Sequence, residues 1–169
     1  MNLKKPKFWD YKEISIWATI LFPLSVIYQF VYWIINLFGP LKKFPIPIIC
    51  VGNIYLGGTG KTPLAREIFN ICKSFNKNPA FIKKNYAYLI DEIKMLEKTG
   101  KTFATKDRVK SITLSINHNY DVGILDDGFQ DFSIKPDLSI LCFNSKQLIG
   151  NGFVIPSGPL RESFSSIKR

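Results

Sequence analysis

Three glycines, a lysine and two threonines stand together in the run Gly57-Gly58-Thr59-Gly60-Lys61-Thr62. Glycines tolerate positive φ, so a backbone rich in them can turn its N–H groups inward to bind an anion. A lysine that follows such a loop can reach the β- and γ-phosphates of a nucleotide, and a threonine hydroxyl can ligate Mg²⁺. The usual motif has another glycine where this chain has Tyr55. The run therefore predicts a nucleotide phosphate loop that departs from the usual form at one position.

Two adjacent carboxylates, Asp126 and Asp127, form the second candidate group, and they follow the apolar run 122–125. A phosphate loop works with an acid at the end of a neighbouring strand, because that acid helps to hold Mg²⁺. Alone, an Asp-Asp pair is as often a simple turn at the end of a strand. In the same chain as Lys61 and Thr62, the pair favours a metal-binding role.

Alternating short apolar runs and helical segments are expected to position these residues. The expected strands are 46–54, 79–82, 102–105, 120–126 and 137–143, and the expected helices are 61–75, 89–98 and 106–117. Strands that alternate with helices in this way predict an α/β fold of the P-loop type, with a mostly parallel sheet and helices on both faces.

The N-terminal part of the chain has a different character. Residues 14–38 form a stretch of 25 residues without Asp, Glu, Lys or Arg. As a helix this stretch would measure about 37 Å, enough to cross a hydrocarbon core of about 30 Å. A weak polar stripe, and lysines on both sides, leave open whether the helix spans a membrane or lies on an anionic leaflet. The predicted division is a membrane-associated helix and linker over 1–44 and a P-loop domain over 45–169.

Composition narrows the function classes. The formal charge of +10 is compatible with nucleic-acid binding. However, the lysines are scattered along the chain, and no basic stripe alternates with exposed aromatic residues. Nucleic acid is therefore not expected as a partner. The three cysteines are isolated in apolar runs and are expected to be reduced. The single histidine, His118, is expected on the surface.

Three blocks together resemble the lipid A 4′-kinase (tetraacyldisaccharide 4′-kinase) family. The first is Val51-Gly52-Asn53-Ile54 with the phosphate loop and Pro63, and the second is Leu125-Asp126-Asp127-Gly128-Phe129-Gln130. The third is Gly150-Asn151-Gly152 with Pro156-Ser157-Gly158-Pro159-Leu160-Arg161-Glu162. The blocks stand in the family's order behind an apolar helix. The resemblance covers the whole chain but only about the first half of a typical member, so the chain is expected to be truncated.

The resemblance implies a function and a cellular location. Members transfer the γ-phosphate of ATP, with Mg²⁺, to the 4′-hydroxyl of a tetraacylated glucosamine disaccharide 1-phosphate. They act at the cytoplasmic face of the inner membrane, so the implied partners are ATP, an acylated disaccharide lipid and inner-membrane lipids. The later histidine that orients the family's base lies beyond this chain, so weak or absent turnover is expected. The alternative is a membrane-attached nucleotide-binding module without catalysis.

Site roles follow from the same resemblance. Gly57, Gly58, Thr59, Gly60, Lys61 and Thr62 are expected to bind the nucleotide, and Lys61, Asp91 and Asp127 to take part in catalysis. The expected metal ligands are Thr62, Asp126 and Glu92, and the expected substrate contacts are Arg161 and Gln130. Asp91 matches the family's general base only loosely. An acid that complements the dipole of a helix N-terminus explains its position equally well.

Overall fold

The computed structural model describes residues 5–11, 13–39 and 41–168, and the chain divides into two compact units. The sheet unit comprises residues 40–53 and 60–142. The helix-and-loop unit comprises residues 1–39, 54–59 and 143–169. The chain therefore leaves the sheet unit after the first strand and returns to it at Gly60, just before the predicted lysine and threonine.

The sheet unit is a five-stranded parallel sheet with flanking helices, in the strand order β3-β2-β4-β1-β5. Its strands are β1 (Ile48–Gly52), β2 (Pro79–Lys84), β3 (Thr102–Thr105), β4 (Val122–Asp126) and β5 (Leu138–Leu141). Its helices are α2 (Lys61–Ser74), α3 (Ile90–Glu97) and α4 (Arg108–Asn117), and α1 (Ile16–Phe38) belongs to the other unit. The predicted α/β fold is confirmed.

Burial explains why the central strands β2 and β4 are mostly apolar. All five residues of β4 are buried, as are the first five of β2, so neither face of the central strands meets water. Strands covered on both faces need continuous apolar runs rather than alternating ones. Phe69 of α2 stacks on Phe81 of β2 with ring centroids 4.7 Å apart, which fixes α2 against one face of the sheet.

The predicted elements appear with small shifts at their ends. The helix expected over 89–98 begins as a 3₁₀ turn, Ala87–Leu89, and becomes α-helical only over Ile90–Glu97. Asp107 ends the irregular segment before α4 because its carboxylate accepts a hydrogen bond from the Val109 N–H at 2.9 Å and so caps that helix. Capping of this kind moves the start of α4 two residues past the expected position.

The helix-and-loop unit is built around α1 (Ile16–Phe38). Within the described residues, α1 is the one helix long and apolar enough to cross a membrane. Only Ala18 and Ser25 are buried along it, and most of its large apolar side chains face outward. Pro23 lies inside the helix without ending it. A 3₁₀ segment, Phe164–Lys168, follows near the C-terminal end of the unit.

Buried polar contacts attach α1 to the loop 153–157. The Ser25 hydroxyl donates to the Val154 carbonyl at 2.8 Å and accepts from the Ser157 N–H at 3.0 Å. The Ser157 hydroxyl donates to the Ala18 carbonyl at 2.9 Å. Ala18 and Ser25 are two turns apart on one side of α1, so small side chains there let the loop approach the helix backbone.

Candidate active site

The carboxyl ends of β1, β2 and β4 lie side by side, because these strands are parallel and adjacent in the order β2-β4-β1. Side chains that follow adjacent parallel strands meet at one edge of a sheet, where open α/β folds bind their ligands. Asp126 ends β4, and Lys83 and Lys84 end β2. The predicted acids therefore lie at the edge at which a ligand is expected.

The glycine loop has the backbone that a phosphate loop requires at two positions. Gly57 has φ +147° and Gly60 has φ +84°, a region that residues with a Cβ rarely adopt. Gly60 is also the N-terminal cap of α2, so the free N–H groups at the start of that helix follow it directly. The Thr59 hydroxyl oxygen is buried and has no hydrogen-bond partner among residues 5–11, 13–39 and 41–168.

Lys61 and Asp127 form the first pair at the sheet edge. The Lys61 ammonium nitrogen lies 3.7 Å from Asp127 Oδ1, and both side chains remain partly exposed. Asp127 adopts φ +58°, and its N–H donates to the Val51 carbonyl at 2.9 Å, which ties the turn after β4 to β1. A lysine held by a partly exposed carboxylate can exchange that partner for a phosphate oxygen.

Thr62 and Asp126 form the second pair. The Thr62 hydroxyl donates to Asp126 Oδ2 at 3.1 Å, and Asp126 is fully buried. In the part of the chain that the structure describes, the other oxygen, Asp126 Oδ1, is buried without a hydrogen-bond partner. A buried carboxylate oxygen without a donor is costly unless it takes a ligand, because it has lost water and gained nothing in return.

Lys83 connects Asp126 to α3. The register pairs Ile82 with Leu125, so the next residue of β2, Lys83, comes alongside Asp126 on β4. The Lys83 ammonium donates to Asp126 Oδ2 and, at 2.5 Å, to Glu92 Oε2. Lys83 is only 1% exposed, whereas Glu92 is 47% exposed. Burial opposes the charged ammonium, but the charge of Asp126 and the hydrogen bonds to both carboxylates outweigh it, and they raise the pKa of Lys83.

Arg108 holds the turn that carries the two predicted acids. Its guanidinium donates to the carbonyl oxygens of Asp127 at 2.6 Å and Asp126 at 3.3 Å, and to the carboxylate of Asp131 at 3.0 Å. Lys84 also pairs with Asp131, at 3.4 Å. Burial acts to raise the pKa of Asp131, but the hydrogen bonds from Ser133 and Arg108 and the charges of Arg108 and Lys84 hold it below its usual value.

The remaining predicted residues have the following positions. Asp91 is exposed in the first turn of α3, next to Glu92. The Gln130 side-chain amide donates to the Asn53 carbonyl at 2.8 Å, so it anchors the turn after β4 to the end of β1. Arg161 belongs to the helix-and-loop unit, where its N–H donates to the Ile54 carbonyl at 2.7 Å. The predicted functions of these three residues stay predictions.

The prediction from sequence missed Lys83 and Arg108. A signal for Lys83 was available, because a lysine interrupts the apolar run of β2 next to its end, and a charge there needs a buried partner. A signal for Arg108 was weaker, because an arginine after a helix cap usually faces solvent. Its buried position depends on the loop after β4, which is adjacent only in the folded chain.

The side chains at this edge offer few ligands for a divalent cation. Among residues 5–11, 13–39 and 41–168 there is no group of three or more His, Cys, Asp or Glu side chains that could hold a metal alone. The Thr62 hydroxyl and the unpartnered oxygen of Asp126 fit one Mg²⁺ that nucleotide phosphates also coordinate. The Lys83 ammonium donates to the carboxylates of both Glu92 and Asp126, and the predicted role of Glu92 as a metal ligand stays a prediction.

A parallel sheet whose first strand leads through a glycine loop to a Lys-Thr helix start, with acids on the adjacent strand end, defines the P-loop class. The family described as "Tetraacyldisaccharide-1-P 4'-kinase" matches this chain over residues 17–90 and 87–169. The chain belongs to that family, which confirms the resemblance found in the sequence.

Relatives of known name agree with the family. A tetraacyldisaccharide 4′-kinase of Pelagibacter ubique is 45% identical over 99% of this chain and 53% of its own length. One of Rickettsia bellii is 34% identical over 96% of this chain and 55% of its own length. The crystal structure of Aquifex aeolicus LpxK in complex with ATP is 28% identical, with a TM-score of 0.78 over 90% of this chain and 56% of that one. The chain thus spans about half the length of the relatives it matches.

Proposed function

We propose that this chain carries the ATP site of a tetraacyldisaccharide 4′-kinase, which phosphorylates the 4′-hydroxyl of a tetraacylated glucosamine disaccharide 1-phosphate. The observation that carries the proposal is the pairing of Lys61 with Asp127 and of Thr62 with Asp126 at the carboxyl edge of the sheet. The ATP bound to the Aquifex relative supports the choice of nucleotide. The names of the relatives support the acceptor.

The proposed chemistry is an in-line phosphoryl transfer. The acceptor hydroxyl oxygen forms a bond to the γ-phosphorus, the bond from that phosphorus to the β–γ bridging oxygen breaks, and ADP leaves. Lys61 binds the β- and γ-phosphate oxygens, and the loop 57–62 offers its N–H groups to them. Thr62 and Asp126 would hold Mg²⁺, which when bound neutralises phosphate charge. Asp127 keeps Lys61 oriented until the nucleotide arrives.

Asp91 is the proposed acceptor of the hydroxyl proton. Its neighbour Glu92 is held by Lys83, which fixes the first turn of α3 at the same edge of the sheet. Asp91 is the next residue around that turn and is exposed, so a bulky acceptor can reach it. Gln130 and Arg161 are proposed to contact the substrate, Arg161 through its guanidinium, which can bind a phosphate in a bidentate manner.

We further propose that α1 attaches residues 1–44 to the cytoplasmic face of the inner membrane, so that the kinase domain over 45–169 meets its lipid substrate there. Exposed apolar side chains support this, among them Trp17 (62% exposed), Phe30 (59%) and Trp33 (56%). Replacing these three by Ser is expected to abolish flotation of the protein with vesicles of anionic phospholipid. Undiminished flotation would contradict the proposal.

Substitution of Lys61 tests the nucleotide site. Lys61→Ala is expected to weaken binding of Mg-ATP by about 100-fold, because a charge-assisted contact to the phosphates is lost. Lys73→Ala is the matched control, since Lys73 lies at the other end of α2 and is exposed. Isothermal titration calorimetry measures both. Unchanged affinity in Lys61→Ala would overturn the nucleotide site.

Transfer is measured with radiolabelled ATP and the acylated disaccharide 1-phosphate, with the Pelagibacter enzyme as positive control. Asp91→Asn is expected to leave ATP affinity unchanged and to lower any transfer by about 100-fold or more, as for a lost general base. Because weak or absent turnover is expected of this chain, the deciding measurement uses a chain extended by the second half of the Pelagibacter enzyme. ATP binding without transfer by that extended chain would favour the nucleotide-binding module instead of the kinase.

A further inference from the structure

The carboxylates of Asp126 and Glu92 share a cation that belongs to the protein itself. Lys83 donates to Asp126 Oδ2 and to Glu92 Oε2, and it is almost completely buried. Lys83 lies on the same face of β2 as Phe81, which packs on α2, so it faces the helix that begins with Lys61 and Thr62. The ammonium therefore lies within the proposed nucleotide site and not on the other side of the sheet.

Charge balance shows what the ammonium replaces. In the ion pairs of Lys61 and Lys83, three carboxylates, Asp126, Asp127 and Glu92, share two ammonium groups. If the Lys83 charge were removed, the three carboxylates would exceed the remaining ammonium by two negative charges, which is the charge of one divalent cation. Two oxygens from different elements, already brought together on one cation, are also the arrangement that a hard divalent ion requires.

We propose that Lys83 is a built-in cation that occupies the place of a divalent ion between Asp126 and Glu92, and so limits this site to one metal ion. That one ion enters with the nucleotide, at Thr62 and the unpartnered oxygen of Asp126. The inference rests on the proposed function for the identity of the site. It makes Lys83 a positioning residue, because it orients the first turn of α3 through Glu92.

The test counts bound Mn²⁺, a paramagnetic substitute for Mg²⁺, by electron paramagnetic resonance of the free ion. Unaltered protein is expected to bind one Mn²⁺ per chain with a non-hydrolysable ATP analogue and none tightly without it. Lys83→Ser opens space and removes the charge, so it is expected to bind Mn²⁺ without nucleotide at least about tenfold more tightly than the unaltered chain. Lys83→Arg keeps the charge and is expected to restore the original count.

Lys84→Ser is the matched control, because Lys84 is the adjacent residue of β2 and pairs with Asp131 instead. It is expected to leave the Mn²⁺ count unchanged, which separates a local effect from a general change in charge. An unchanged count in Lys83→Ser, or an equal gain in Lys84→Ser, would overturn the inference.

Two further outcomes keep the result clear. If circular dichroism shows that Lys83→Ser does not fold, the Mn²⁺ count of the unaltered chain tests the inference. Two bound Mn²⁺ in the presence of the ATP analogue, or one tightly bound Mn²⁺ in its absence, would contradict a built-in cation. One Mn²⁺ bound per chain with the analogue, and none bound tightly without it, supports the inference. If the chain binds no ATP analogue, the proposed function fails, and the nucleotide-free comparison of Lys83→Ser with the unaltered chain still tests Lys83.

Discussion

Two buried polar clusters, one in each unit, differ in how completely their hydrogen bonds are made. In the helix-and-loop unit, the hydroxyls of Ser25 and Ser157 are buried and bonded to backbone groups, Ser25 as donor and acceptor at once. In the sheet unit, Asp126 is equally buried, and its Oδ2 accepts from both Thr62 and Lys83. Its Oδ1 has no partner in residues 5–11, 13–39 and 41–168.

The difference separates polar groups that hold the fold from those that can bind a ligand. A hydroxyl with complete hydrogen bonds contributes stability and has no unused donor or acceptor for a ligand. A buried carboxylate with one unused oxygen keeps a cost that a cation would remove. Burial alone therefore does not identify the site, whereas burial with an unused oxygen does.

The largest effect is expected from Asp126→Asn. The change leaves the buried Lys83 ammonium with only the half-exposed Glu92 as its counter-charge, and breaking a buried pair in this way costs about 3–5 kcal/mol. Urea denaturation followed by circular dichroism measures the free energy of unfolding. Binding of Mg-ATP is expected to lose its dependence on Mg²⁺ in the same variant.

Asp127→Asn is the control for Asp126→Asn, because Asp127 is the next residue and also pairs with a lysine. Its side chain is 31% exposed and lies 3.7 Å from Lys61, so its loss is expected to cost less than about 1 kcal/mol. Equal losses of stability in the two variants would contradict the contrast between a buried and a solvated pair.

The sequence predicted the fold well because its signals are local. The Gly-Lys-Thr run marks the start of α2, and apolar runs mark β1 and β4. Lys83 could not be placed in the same way, because its role depends on the pairing of β2 with β4, about forty residues further along the chain. Likewise, the sequence showed that Ser25 is polar but not that residues 153–157 would bury it.

Ser25→Ala tests the role of the fully hydrogen-bonded hydroxyl in the helix-and-loop unit. It leaves the buried Ser157 N–H without its acceptor, whereas the Val154 carbonyl keeps the Gly158 N–H as a donor, so the expected loss is about 1–3 kcal/mol in the free energy of unfolding. ATP affinity is expected to stay unchanged. Thr19→Ala, on an exposed face of the same helix, is expected to change stability by less than about 0.5 kcal/mol. A Ser25→Ala protein as stable as the Thr19→Ala protein would refute a structural role.

The smallest effect concerns Asp131, a carboxylate of the sheet unit that holds the turn through Ser133 and Arg108 and does not bind the ligand. Burial would raise its pKa, but these hydrogen bonds and the charges of Arg108 and Lys84 lower it below the unfolded value of about 3.9. Its stabilising contribution is therefore complete above that value and is lost as the pH falls through the folded pKa.

Asp131→Asn is accordingly expected to cost about 1 kcal/mol near pH 7, and the difference from the unaltered chain should shrink below about pH 4. Urea denaturation at a series of pH values from 7 to 3 measures this difference. A cost that stays constant over the whole range would mean that Asp131 acts through its shape and not through its charge. In that case a complete set of partners would not be enough to make a buried carboxylate stabilising.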